Sequence, residues 1–213
     1  MAINKVILMI LLALLSGMKA TAQDFKFGFL AGLDVANSRL TNIPDTASDS
    51  RAYYPLLSFN VNGYIGYKSA SFWGISIEPG FIQKGGVIRY DKDDRDDDVR
   101  LVSNYVQIPV LADFYLTEKF YASTGIEFAY MINTKAKSGD LSNDITEFYD
   151  NPFEISAAIG INYNIIKGFD TGLRYTHGLT YTQIITFTNA SGEPVGEGKV
   201  YNQYFQFLVK YHI

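Results

Sequence analysis

From Phe25 to the end of the chain, apolar and polar positions alternate with a period of two. That is the pattern of a strand whose two faces meet different surroundings. Eight segments carry it: 25–36, 56–68, 73–84, 101–116, 120–132, 153–164, a shorter one from 169, and 200–213. In the first, Phe25, Phe27, Phe29, Ala31, Leu33 and Val35 oppose Lys26, Gly28, Gly32 and Asp34. In the last, Tyr201, Phe205, Phe207, Val209, Tyr211 and Ile213 oppose Asn202, Gln206, Lys210 and His212. Most of these segments reach the roughly 9–11 residues that a tilted strand needs to cross a bilayer.

The connections alternate between long and short. Long ones cover 37–54, 85–100, 133–152 and 179–199, and short ones 68–72, 117–119 and 165–168. Four long loops at one end, with three short turns and both termini at the other, describe an all-β, eight-stranded, antiparallel up-and-down transmembrane β-barrel. An even strand number lets the first strand pair with the last. No edge is then left in lipid, where each unpaired backbone group costs several kcal/mol. The segment Tyr181–Thr188 is β-prone, so the seventh strand is expected to continue past the bilayer. With Val200 onward it would form a protruding hairpin whose edge can pair with a partner strand.

A lipocalin-like carrier also has eight strands, so the two faces must be assigned. The non-aromatic face is rich in Gly, Ser, Ala and Asn, with Gly28, Gly32, Gly66, Gly74, Gly80, Gly125, Gly160 and Gly172 on it. Small residues suit the crowded inside of a narrow barrel, whereas a water-facing wall favours Thr, Lys, Glu and Arg. Aromatics gather at both strand ends, as headgroup-level girdles do. Phe25, Tyr67, Phe72, Trp73, Phe114, Phe120, Tyr163, Phe169 and Tyr211 lie near the short turns. Tyr53, Tyr90, Tyr105, Tyr130, Tyr149, Tyr181 and Tyr201 lie near the long loops. The aromatic face is therefore assigned to lipid.

Composition adds limits. Aromatic residues make up 15% of the chain and charged residues 19%, a balance that favours membrane over water. The net charge of −4 argues against nucleic-acid binding. No cysteine is present, which excludes acylation at a cysteine, disulfides and thiolate chemistry. Lys5, the apolar run Val6 to Leu15 and Ala20-Thr21-Ala22 form a signal peptide with a small-x-small cleavage site. Residues 1–22 are thus read as a cleaved signal, and 23–213 as one barrel domain. The expected location is the bacterial outer membrane, with long loops extracellular and both termini periplasmic.

The stretches VQIPVLADFYL (Val106 to Leu116), GFDTGLRYTHGLT (Gly168 to Thr180) and FKFGFLAGLDVA (Phe25 to Ala36) resemble signatures of the PorT-like outer-membrane β-barrel family. Two positions depart from that pattern: Asp113 stands where a basic residue is expected, and the chain ends on Ile213 rather than an aromatic, with Tyr211 nearby. The resemblance implies an outer-membrane location and a barrel fold; the family's namesake is associated with a bacterial protein-secretion system. The resemblance does not by itself fix a role.

Several constellations bring together side chains suited to chemistry. Inward-facing Glu78, Glu127 and Arg174 are expected at one level of the interior, with Arg174 between the two carboxylates. Lys26, Asp113, Asp170 and Lys210 are expected lower, near the periplasmic opening. These charges serve either a gated ion path or paired-carboxylate acid/base site, or a salt-bridge plug, and the plug is preferred because eight strands enclose little space. Asp91, Asp93, Asp94, Asp96, Asp97 and Asp98 crowd one long loop. Such density suits Ca²⁺, yet Lys92 and Arg95 dilute it and no calcium-loop glycine is present, so a solvated or lipopolysaccharide-facing loop is expected instead. His177 and His212 fall at opposite ends of their strands, which removes a two-histidine metal site. His177 has no nucleophile or carboxylate tied to it by spacing. No catalytic residue, metal or cofactor is assigned.

The expected protein is a monomeric, non-enzymatic barrel with a structural, loop-binding or secretion-associated role. Outer-membrane lipid and envelope or secretion proteins are its expected partners. A small passive pore is the main competitor, followed by a rim-located enzyme and a soluble carrier.

Overall fold

The structure, a computed structural model, describes residues 25–45, 52–89 and 98–213. The signal expected at 1–22 lies outside them, as do Asp91, Asp93, Asp94, Asp96 and Asp97.

The alternating segments form strands β1 (Phe25–Thr41), β3 (Leu56–Lys68), β4 (Trp73–Ile77), β5 (Gly80–Arg89), β6 (Val99–Tyr115), β7 (Phe120–Ser138), β9 (Phe153–Ile166), β10 (Phe169–Gly178) and β12 (Pro194–His212). Short β2 (Ala52–Tyr54), β8 (Leu141–Asp144) and β11 (Gln183–Thr188) lie at the loop end. β4 and β5 are one wall strand. Ile77 pairs with Ile65 and Val110, Gly80 pairs with Asn62 and Gln107, and the register is the same on both sides of the gap. The ladder lapses between them because Pro79 has no N–H to donate, while the Pro79 carbonyl still accepts from Gly63 N–H at 2.8 Å.

Counted this way, eight antiparallel strands follow one another around a ring, and β1 closes it against β12 from Gly28↔His212 to Thr41↔Lys199. Closure is tight at Gly28, where a Cβ would stand 1.8 Å from the Tyr211 carbonyl oxygen. On the other edge of β12, Gly168 (φ +84°) makes the turn between β9 and β10 and its carbonyl accepts from His212 N–H at 2.8 Å. Four wall strands overrun the sequence-based limits at the loop end by five residues or more: β1 to Thr41, β5 to Arg89, β7 to Ser138, and β12 from Pro194. The anticipated hairpin is present as β11 against β12, from Gln183↔Val200 to Thr188↔Pro194.

Alternation sets the two faces. Phe27, Phe29, Leu33, Val61, Ile108, Phe128, Ile159, Phe205 and Phe207 are exposed on the outside, an apolar belt far larger than a water-soluble surface tolerates. Near the short turns, Phe25 packs 5.3 Å from Tyr67, Tyr67 lies 6.2 Å from Trp73, and Phe169 lies 4.8 Å from Tyr211. The loop-end girdle needs correction. Tyr105 is fully buried inside the barrel, and Tyr149 folds over the mouth against the interior cluster rather than outward. Tyr105 sits at inward parity with Ser103 and Gln107, which its proximity to a loop did not reveal.

Candidate functional site

The lumen is the chemically richest part of the molecule. Inward positions supply the buried carboxylates Asp34, Glu78, Asp113, Glu127, Glu154 and Asp170, and the buried cations Lys84, Arg174 and Lys210. Pro79 holds the preceding residue, Glu78, in extended backbone, and Glu78 N–H donates to the Pro109 carbonyl at 3.0 Å. The carboxylate therefore points across the barrel. Arg174 Nη1 lies 2.7 Å from its Oε2, and Lys210 Nζ 3.2 Å from its Oε1.

A second ion group lies toward the loop end. Lys84 Nζ donates to Glu127 Oε1 at 2.8 Å and to Glu154 Oε1 at 2.9 Å. The remaining carboxylate oxygens are also occupied: the Tyr204 hydroxyl donates to Glu127 Oε2, and Asn202 Nδ2 donates to Glu154 Oε2 at 2.6 Å. The Lys84 ammonium sits over the rings of Tyr105 and Tyr204, at 4.8 and 5.1 Å. Between the two groups, Asp34 Oδ1 accepts from Asn60 Nδ2 at 2.7 Å and from Gln206 Nε2 at 3.1 Å.

Toward the short-turn end, Asp113 accepts a hydrogen bond from the Ser123 hydroxyl. Asp170 accepts from the Tyr121 hydroxyl at 2.7 Å and from Asn164 Nδ2 at 2.6 Å, and faces His212 Nε2 at 3.2 Å. Half-buried Lys26 lines a cavity of about 790 Å³ that opens at this end, beside Lys68, Tyr115, Tyr121 and Asp170.

The expected groupings are thus rearranged. Arg174 meets Glu78, but Glu127 belongs to Lys84, and Lys210 reaches Glu78 instead of remaining with Lys26, Asp113 and Asp170. Sequence reasoning placed Lys84, Glu154 and Asp34 outside any cluster. Their parity put them inward, but only the register around the ring decides which charges meet. Asp98, the member of the acidic run among the described residues, forms a two-pronged pair with Arg89, at 2.7 Å to Nε and 2.8 Å to Nη2. His177 lies on the outer wall, 3.3 Å from Arg39 Nη2 and 3.0 Å from the Tyr175 hydroxyl. It is remote from the lumen carboxylates.

Around the Lys84 group, Ala36, Ile82, Tyr105, Ala129, Met131 and Tyr204 form a buried apolar cluster, with Tyr149 packed onto it. The arrangement therefore opens as a cup at the short-turn end and is filled by paired charges and tyrosines along its length. Paired, hydrogen-bonded charges are the form in which ions persist away from water.

In a comparison with protein families, the model described as outer membrane protein beta-barrel domain matches residues 21–182. No curated protein sequence matches the chain. Among solved structures, the chain is similar to Ail, the attachment invasion locus protein of Yersinia pestis, at 11% identity and a TM-score of 0.47, covering 89% of this chain and 99% of that one. It is also similar to the outer membrane protein OprG of Pseudomonas aeruginosa (11% identity, TM-score 0.46, 88% and 95% covered). The outer membrane protease OmpT of Escherichia coli is similar at 8% identity and a TM-score of 0.41, with 92% and 99% covered.

Proposed function

Because the chain belongs to the outer membrane protein beta-barrel domain family, and so to the bacterial outer membrane, we propose that it acts there as a sealed, non-catalytic barrel that serves the envelope through its loop end. In this reading the long loops are extracellular, the termini periplasmic, and the barrel is a monomer that contacts envelope or secretion proteins. One observation carries the proposal: the lumen is filled by the Glu78–Arg174–Lys210 and Lys84–Glu127–Glu154 groups together with the cluster of Ile82, Tyr105, Met131 and Tyr204 that packs around Lys84. A small passive pore needs a continuous water path, and eight strands leave little room for one beside such side chains.

The β11–β12 hairpin supports a contact role, since it carries a strand edge beyond the wall where an extended partner segment can add. The resemblance to PorT-like barrels is consistent with a partner from a secretion assembly. Planar-bilayer recording of the purified protein tests the sealed reading: the expected result is no steady single-channel conductance. A reproducible ohmic conductance that changes size in Lys84→Ala would establish a pore. Gentle extraction followed by mass spectrometry then tests the contact role, with the same envelope proteins expected at each preparation.

A further inference from the structure

On the outer wall, the apolar belt ends at a row of amides. Gln83 Nε2 donates to Asn104 Oδ1 at 3.1 Å, and Asn104 Nδ2 donates to Asn133 Oδ1 at 2.7 Å. Just below this row, Val106, Tyr130 and Ile132 are exposed. At the lower edge of the row, the pairing of β6 with β7 shifts register, from Tyr105↔Met131 to Asn104↔Asn133, leaving Ile132 as the extra residue of a bulge. The bulge reverses the parity of β7. Thr134 and Ala136 turn inward, while Lys135 and Lys137 turn outward.

The new register places Lys137 directly opposite Arg100 and Lys135 opposite Val102. Arg100, Lys135 and Lys137 are all exposed. Like charges directly opposite on one sheet face repel and destabilise the pairing. Among the described residues neither Arg100 nor Lys137 has an ion pair, whereas Lys135 faces the carboxylate of its cross-strand partner Asp144, whose Oδ1 accepts from the hydroxyl and N–H of Thr146. An anion placed between the three cations removes the repulsion.

We propose that Arg100, Lys135 and Lys137 seat the phosphomonoester of an anionic membrane lipid headgroup. Position selects this source. Lys135 stands two residues and Arg100 four residues past the amide row, roughly 7 and 13 Å along strands tilted by about 40°. That range covers the headgroup layer, while Val106, Tyr130 and Ile132 lie where the acyl chains of the same lipid run. A phosphate binds such a cluster by charge-assisted hydrogen bonds, two-pronged from the arginine. The site needs only that the barrel is embedded; it does not depend on which end faces the cell exterior or on whether the lumen conducts.

The test uses the purified barrel in phosphatidylcholine nanodiscs doped with bisphosphorylated lipid A, or with the same lipid after its phosphates are removed. Native mass spectrometry is expected to detect retention of the phosphorylated lipid. In Arg100→Gln/Lys137→Gln, its apparent affinity should fall by about tenfold or more, the scale of losing two charge-assisted contacts. Equal retention of the dephosphorylated lipid, or an unaffected double variant, overturns the proposal. Thermal unfolding gives a second readout independent of binding counts. Lys137→Gln should raise the midpoint in phosphatidylcholine, whose phosphodiester is neutralised by its own choline and supplies no net anion to relieve the repulsion, and lower it relative to wild type in lipid A. A lower midpoint in phosphatidylcholine would mean that a carboxylate of the chain already partners the cluster, and would sink the idea. Inorganic phosphate at millimolar concentration should not reproduce the lipid effect; if it does, the ligand is a soluble anion and the lipid assignment fails.

Discussion

The inner and outer faces of the same strands obey different rules. On the outside, Leu33, Phe59, Phe205 and Phe207 are exposed apolar groups whose requirement is only to be compatible with hydrocarbon. On the inside, Lys84 has two carboxylates and Glu78 two cations, each at a fixed distance. Lipid contact is non-directional and forgives shape, whereas ion pairing among buried side chains depends on specific partners. Substitution costs should therefore depend on partner identity inside and on polarity alone outside.

The largest effect is expected from Lys84→Met, which leaves Glu127 and Glu154 buried without their cation. A loss of about 3–5 kcal/mol is expected, the scale for breaking one side of a buried ion pair, read by denaturant unfolding in micelles. The triple change with Glu127→Gln and Glu154→Gln should recover much of it; equal loss in both variants would show that packing rather than charge governs this level. On the outer wall, Leu33→Arg should cost about 2–4 kcal/mol in a bilayer, while Leu33→Met should stay within about 1.5 kcal/mol. Comparable costs for the two would erase the distinction between the faces.

At the border of the two regimes, Asn104→Leu removes the links to Gln83 and Asn133. It should cost about 0.5–1.5 kcal/mol per hydrogen bond lost in phosphatidylcholine nanodiscs, and no cost there would mean that the apolar belt simply rises by a row. The smallest effect lies beyond the wall. Hydrogen bonds from the Thr146 hydroxyl and N–H hold the fully exposed Asp144 carboxyl below its ordinary range. Thr146→Val should therefore raise its NMR titration midpoint without a measurable change in stability. A group with a depressed value contributes above its unfolded value and loses that contribution as pH falls, and in water this contribution is screened to almost nothing.

Much of this was legible in one dimension. The segments 56–68 and 153–164, and the starts of 120–132 and the strand from 169, coincide closely with β3, β9, β7 and β10, because alternation and turn residues are local signals. The overruns of β1, β5, β7 and β12 were hidden because beyond the bilayer both faces are wet and alternation no longer separates apolar from polar. Tyr105 was misplaced for a related reason: an aromatic near a strand end suits a girdle and a lumen equally, and only its parity with Ser103 and Gln107 distinguishes them. The β7 bulge had no sequence signature at all.

The sequence by itself determined the strand number, the alternation of loops and turns, and which face of each strand meets lipid, since these follow from a two-residue period set by the backbone. Tertiary structure alone decided that Glu127 meets Lys84 rather than Arg174, that Lys210 reaches Glu78, and that Lys137 lies opposite Arg100. Those pairings depend on strand stagger around a closed ring and on one inserted residue: a two-residue shift of register exchanges every partner while keeping each face where it was, whereas a one-residue slip would turn the face over.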